Sequence, residues 1–448
     1  MTPKPDQSIV FRWRWQLWPT VGMRAANEAA CAEVLRESTV VCNLVPVSAS
    51  TDELTQSEEL PLPVQGPLED PTRMSGAGYC SREDVEMLWH QKSRMDTLFD
   101  GGHQEAYWLA RDEIYAEAGH RGSDRQPLGN RAGDKIQEIV TAVGMESPHP
   151  QEHFVFVDLC GAPGAWSKYF FQLGAKTECS MQGFGFSLRE GTNTKSCTWF
   201  EEDLTKRDNF TELWGADGTG DVCSPENVAH AVARVGRTAD LVMADGGFGV
   251  QKGSNGQHME NYQEIVSGSI LIAEVRFALE TLKEGGCFVG KFFDTFTHVS
   301  CGLLFVVAAL FRRVDVVKPR HSRAVNSERY LVGQQFKGPG APCLPKLLTA
   351  LRRAQDMWPR PATAWAGDAP LWVVPPSLLE AAPDFLASVR EMSTTLCRRQ
   401  TGALRAVMDR AEELVGAGLA HRPKRPRRRP RERKGQSAPD QVVDGEQK

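Results

Sequence analysis

Four short apolar runs set the frame of this chain: residues 154–159 (FVFVDL), 183–188 (GFGFSL), 239–244 (ADLVMA) and 287–291 (CFVGK). Each has the length of a strand, and stretches of helix length, 227–235 and 263–283, lie between the last three. Alternation at this spacing predicts an α/β sandwich with a mainly parallel sheet. In such sheets ligands sit beyond the carboxyl ends of the strands, so those ends are where chemistry is expected.

A fifth apolar run, residues 301–311, ends at Arg312 and Arg313. It is too short for a bilayer, which takes about twenty residues, and reads as a buried helix of a soluble protein. The first residues, with Arg12 and Arg14 among tryptophans, lack the unbroken apolar core of a secretory signal. Eleven cysteines without a Cys-x-x-Cys pair read as reduced thiols rather than a disulfide frame or zinc ribbon.

Composition divides the chain. Residues 46–74, rich in Ser, Pro, Glu and Asp, cannot bury enough apolar surface to offset their ordering entropy and read as a linker. Residues 1–45 before it form a small segment with a helix-like run at 24–37. The strand–helix alternation occupies 76–336. Residues 338–419 read as a helical appendage, with helices at 347–354 and 388–413 around a Trp- and Pro-rich piece at 358–376. The end, 420–448, reads as a disordered basic tail. Nine basic residues and one acid fall between Arg422 and Lys434 in a chain of net charge −5, so the rest of the chain is acidic.

The first run leads into Asp158-Leu159-Cys160-Gly161-Ala162-Pro163-Gly164-Ala165-Trp166-Ser167. Small residues between a strand and a helix let a ligand approach the backbone N–H groups of the first turn. No Lys-Ser/Thr follows the last glycine, which argues against a phosphate-cradling loop. Ala165, bearing a Cβ, requires a negative φ. Asp245 and Lys291 end the next strands, Glu328 enters the last one, and Lys135 lies on a helix before the first. Singly each reads as a surface charge or a turn cap. Four at element ends around one crevice suit removal of a proton from a poor acid such as an alcohol. A lysine can accept that proton if burial and a neighbouring ammonium lower its pKa, while carboxylates orient it; no metal is needed.

With NRAGDK (130–135), GDVCSPENV (220–228), MENYQEI (259–265), GKFFDTFT (290–297) and KPRHSRAVNSERYLV (318–332), these motifs resemble the RrmJ/FtsJ-like ribose 2′-O-methyltransferases, and among them the branch acting on mRNA caps. The resemblance implies a Rossmann-like class I fold with a mainly parallel seven-stranded sheet, and S-adenosylmethionine as methyl donor. It implies a catalytic tetrad of Lys135, Asp245, Lys291 and Glu328, with Lys291 as base for the 2′-OH and the methyl displaced in line. The donor would lie against Cys160, Gly161, Ala162, Pro163, Gly164, Ala165 and Trp166, with Asp221 and Val222 near its adenosyl part. Asn261, Asn326 and Arg111 would contact capped mRNA. Trp89, Tyr107, Trp108 and Tyr115 are candidates for stacking on the cap base, a role each shares with ordinary core packing. The Arg/Pro tail fits a nuclear address read by an import receptor, or phosphate contacts. Ribosomal or transfer RNA as substrate, and a catalytically silent RNA-binding scaffold, are the other readings.

Overall fold

The computed structural model describes residues 39–47, 78–117, 128, 130–146, 148–150, 152–189, 198–248, 263–358 and 372–419. The expected helix at 24–37, residues 48–74 of the expected linker, Asn261 and the 420–448 tail lie outside them.

Eight strands form one sheet: β1 (Val40–Leu44), β2 (His153–Leu159), β3 (Ser180–Phe186), β4 (Phe210–Leu213), β5 (Ala239–Ala244), β6 (Leu282–Phe292), β7 (Phe311–Lys318) and β8 (Arg329–Phe336). Their order is β1-β7-β8-β6-β5-β2-β3-β4. The pairings from β6 through β5, β2 and β3 to β4 are parallel, and β8 runs antiparallel between β6 and β7. Direction reverses only at β8 and β1. The seven strands expected from the resemblance are present, and β1 adds an eighth, antiparallel to β7. Residues 40–44, grouped by composition with the N-terminal segment, close the sheet's edge instead.

Helices α1 (Arg82–Asp100), α2 (Gln104–Glu117), α3 (Arg131–Ala142), α4 (Ala165–Thr177), α5 (Pro225–Val235), α6 (Gln263–Val266), α7 (Gly268–Thr281), α8 (His298–Leu310), α9 (Leu344–Met357), α10 (Pro376–Glu380) and α11 (Pro383–Gly416) complete the fold. One face of the sheet packs on α5, α7, α8 and α9. The other packs on α3 and α4 through Ile136, Ile139, Phe170 and Phe171. Helix α8 is the apolar run read from the sequence, buried along its length from Ser300. Among the described residues no helix is long and apolar enough to cross a membrane, and none of the nine cysteines is in a disulfide.

A third cluster joins α1, α2 and α11 to Phe296, Ala324 and Val325. Helix α11 buries Phe385, Val389, Met392, Leu396, Gln400, Ala403, Val407, Ala411 and Leu414, a spacing of three or four that puts one stripe inward. Helix α11 thus packs on α1 and α2, which follow β1, and on the loop between β7 and β8.

Candidate active site

Strands β3 and β4 lie to one side of β2, and β5 and β6 to the other. The carboxyl ends of β2 and β5 therefore flank the switch point where such sheets bind ligands. The 160–166 turn leaves β2 there. Cys160 takes a left-handed φ of 56° and donates its N–H to Phe186 O at 2.7 Å. Gly164 has φ 99°, and a Cβ on it would lie 2.2 Å from Leu204 Cδ1, so only glycine fits. Ala165 begins α4, with the negative φ its Cβ requires. Asp158 is fully buried: its Oδ2 accepts from Ser167 N (3.2 Å) and Oγ (2.6 Å), tying strand to helix, and its Oδ1 lies behind Gly161 without a hydrogen-bond partner. Burial pushes its carboxyl up to about 7.

The turn's Trp166 is 2% exposed. Its Nε1 donates to Ala132 O (2.8 Å), fixing α4 against α3, and its ring leans on Tyr330. Helix α3 starts at Asn130, whose side chain accepts from Ala132 N (2.8 Å). One turn after Lys135 it carries Glu138, which accepts from Thr39 Oγ1, Arg320 N (2.5 Å) and His321 N (3.2 Å). The segment leading into β1, helix α3 and the β7–β8 loop thus meet on one carboxylate. Asp221 caps its own turn by accepting from Cys223 N (2.9 Å), and Val222 is buried beside it.

The four charged residues converge. Lys135 Nζ lies 2.7 Å from Glu328 Oε1, and Lys291 Nζ lies 3.2 Å from Asp245 Oδ1. Lys291 also donates to Asp245 O at 2.7 Å. Antiparallel register sets Lys291 opposite Tyr330, whose hydroxyl donates to Glu328 Oε1 (3.0 Å) and lies 3.4 Å from Asp245 Oδ1. This fully buried tyrosine joins the two ion pairs, a role that its place in a strand did not disclose. A cleft of ≈ 270 Å³ is lined by Gly161, Ala162, Pro163 and Ala165 on one side and by Lys135 and Asp245 on another. Such a continuous space is what a donor held by the turn and used at the charged group requires.

The electrostatics correct one expectation. Burial works to lower the pKa of Lys291, but Asp245, Glu328 and Glu274 outweigh it and hold the amine above its ordinary value. In the free protein Lys291 is an ammonium, not a free base. Burial would raise Glu328, but Lys135, Lys291 and Lys318 hold it well below the usual carboxylate range. Lys318, at the end of β7, is a third lysine that the sequence reading passed over. Its Nζ donates to Ser322 Oγ (3.1 Å), Asn326 O (2.6 Å) and Glu328 O, stapling the loop that carries Asn326 and Glu328. Burial pushes its amine down to about 7.

Asn326 is exposed beside Glu328. Arg111 lies on α2, paired with Asp112 (2.8 Å) and 4.6 Å over the Trp108 ring. Helix α2 packs on the same loop, since Tyr107 shares a cluster with Ala324 and Val325. Of the aromatic candidates, Tyr107 is core, Trp89 packs against it, and Trp108 is 38% exposed; the Tyr115 side chain lies outside the described residues.

The sequence profile of the FtsJ-like methyltransferase family matches residues 128–336. A cap-specific mRNA (nucleoside-2'-O-)-methyltransferase 1 of Trypanosoma cruzi (strain CL Brener) is 35% identical over 332 residues, 72% of this chain and 84% of that protein. The protein of the same name from Trypanosoma brucei brucei is 34% identical over 340 residues, 74% and 85% of the two chains. That from Leishmania braziliensis is 31% identical over 347 residues, 73% and 79%. Sheet order, the glycine turn at the switch point and identity across most of both lengths converge: the chain belongs to the FtsJ-like methyltransferases, in the family of the cap-specific mRNA (nucleoside-2'-O-)-methyltransferases 1.

Proposed function

We propose that the protein methylates the ribose 2′-OH of a cap-proximal nucleotide in capped mRNA, with S-adenosylmethionine as donor. The observation that carries this is the joining of two lysine–carboxylate pairs through the Tyr330 hydroxyl, at a cleft shared with the glycine turn. Residues 160–166, with Asp221 and Val222, hold the donor. When bound, it supplies an electrophilic methyl group on a positively charged sulfur, so no acid is needed for the leaving group.

Lys291 Nζ accepts the 2′-OH proton. It must first release its own, and it does so more readily once positive charge shares the cleft and offsets Asp245 and Glu328. Asp245 aims the amine through both its side chain and its carbonyl. Lys135, held by Glu328, orients the hydroxyl from the other side. Alignment and base tuning then supply most of the rate. Asn326 and Arg111 face the RNA, with Asn261 in the motif that precedes α6, and the exposed Trp108 offers a stacking surface for the cap base.

The test is methyl transfer to capped RNA, with the modified nucleotide mapped by mass spectrometry. A 2′-O-methyl group at a cap-proximal position is expected. Equal activity on uncapped RNA would overturn cap dependence, and no transfer by the folded protein would overturn the enzyme. For the Arg/Pro stretch we infer a nuclear address read by an import receptor, from its charge density. Residues 420–448 fused to a cytoplasmic reporter should move it to the nucleus; a reporter left in the cytoplasm would refute this.

A further inference from the structure

Beneath the Lys291–Asp245 pair lies a carboxylate with no assigned part in the chemistry. Glu274, on α7, is 1% exposed. Its Oε1 accepts from Gly246 N at 3.1 Å, and its Oε2 is buried without a hydrogen-bond partner. Lys291 Nζ donates to Asp245 O at 2.7 Å. The carbonyl of Asp245 and the N–H of Gly246 belong to one peptide group, so the two side chains grip its opposite ends. The fit is close: a Cβ on Gly246 would lie 2.2 Å from Glu274 Oε1, and one on Gly247 3.2 Å from Lys291 Cε. The glycine pair after Asp245 is thus clamped between Glu274 and Lys291.

Resting on the function proposed above, we propose that Glu274 is a positioning residue for Lys291, acting through the Asp245–Gly246 peptide to set how firmly the amine holds its proton. Hydrogen bonds at the two ends of a peptide polarise one another. An ionised Glu274 strengthens the carbonyl's pull on the ammonium and adds a negative charge nearby; a neutral one does neither. The groups facing Glu274 are Lys291 from β6, Asp245 and the Gly246 N–H from the turn after β5, and Cys160 from the turn after β2. Burial pushes the carboxyl up to about 8, with Asp245 adding to the rise and Lys291 opposing it. Near neutral pH it holds a proton, which leaves Lys291 easier to discharge.

The experiment follows the Lys291 side-chain signal by NMR in full-length protein carrying ¹³C-labelled lysine, assigned with Lys291→Arg, as pH is raised. In the wild type, an inflection near pH 8 from Glu274 should precede the lysine's own titration. Glu274→Gln, which retains an acceptor for Gly246 N, should abolish it. The same variant should lower the Lys291 midpoint by about one pH unit, a tenfold gain in free amine. In methyl transfer to capped RNA, the kcat profile should move the same way above about pH 8, where wild-type Glu274 is ionised, and coincide with the wild type below it, with KM unchanged. Identical Lys291 titrations in both proteins would overturn the proposal. If the variant does not fold, the wild-type curve decides alone, because a smooth curve through pH 8 overturns it too. A wild type that transfers no methyl would sink the proposed function, and the titration would still decide the role of Glu274.

Discussion

The 160–166 turn is held by backbone and apolar packing, whereas the charged cluster whose Lys135 and Asp245 line the same cleft is held by its own ion pairs. In the turn, Gly164 N donates to Gly161 O at 2.7 Å, Cys160 N bonds to β3, and Leu204 and Trp199 fill the space behind. Across the cleft, two ion pairs share one tyrosine hydroxyl, and the loop beneath them is stapled by a third lysine. The contrast separates two ways for a site to fail. The turn is vulnerable chiefly to shape and the charged group chiefly to charge.

Substitutions on the two sides should therefore break different observables. The largest effect is expected from Lys291→Ala. It should cost about 10²–10⁴-fold in kcat, the range for a positioned base, while calorimetry shows donor binding near the wild-type level. Normal turnover by the folded variant would remove Lys291 from its assigned part. Gly164→Ala attacks the other side. A left-handed φ and the collision with Leu204 should cost about 1–3 kcal/mol, read as a lower Tm and weaker donor binding.

Tyr330→Phe should act between these. The ring stays against Trp166, but the link between the ion pairs is lost. A hydrogen bond to a charged group is worth about 1.5 kcal/mol, so kcat should fall about tenfold with the donor KM unchanged. A fall in donor affinity instead would show that the two sides are less separate than their contacts imply.

The smallest effect concerns pH and stability, and its sign differs across the cleft. Folded Asp158 keeps a proton that the unfolded chain gives up above about pH 4. Its contribution to stability is full below that pH and is lost as pH rises towards about 7. Glu328 is depressed, so its contribution is present above about pH 4 and lost as pH falls through its lower folded value. Urea unfolding across this range should show Asp158→Asn less sensitive to rising pH and Glu328→Gln less sensitive to acid. Unchanged slopes would mean that other carboxylates dominate.

Asp245, Lys291, Glu328 and the turn were legible because each ends a strand or opens one, where topology brings it to the crevice; Lys135, on α3, was legible only through its motif. Tyr330 was not, because an aromatic in a strand reads as core, and it is core as well as bridge. Glu274 was hidden for a related reason: an acid in a run of helix length reads as solvent-facing, yet α7 is buried along nearly all its length. Lys318 was hidden because its partners are a serine and two backbone carbonyls of the loop after it, which leave no pattern in the sequence. Strand β1 escaped because five residues beyond a Trp-bearing segment carry no alternation, and pairing with β7 supplies what the local pattern lacks.

The meeting on Glu138 makes the arrival of strand β1 a condition felt at the charged cluster. Thr39 reaches the helix that presents Lys135, and the same acid secures the start of the loop that presents Glu328. Shortening the chain past residue 44 would therefore do more than bare a row of unpaired backbone groups along β7. It would loosen, from roughly a helical turn away, the mount that carries Lys135 and Glu328, two of the four clustered charges.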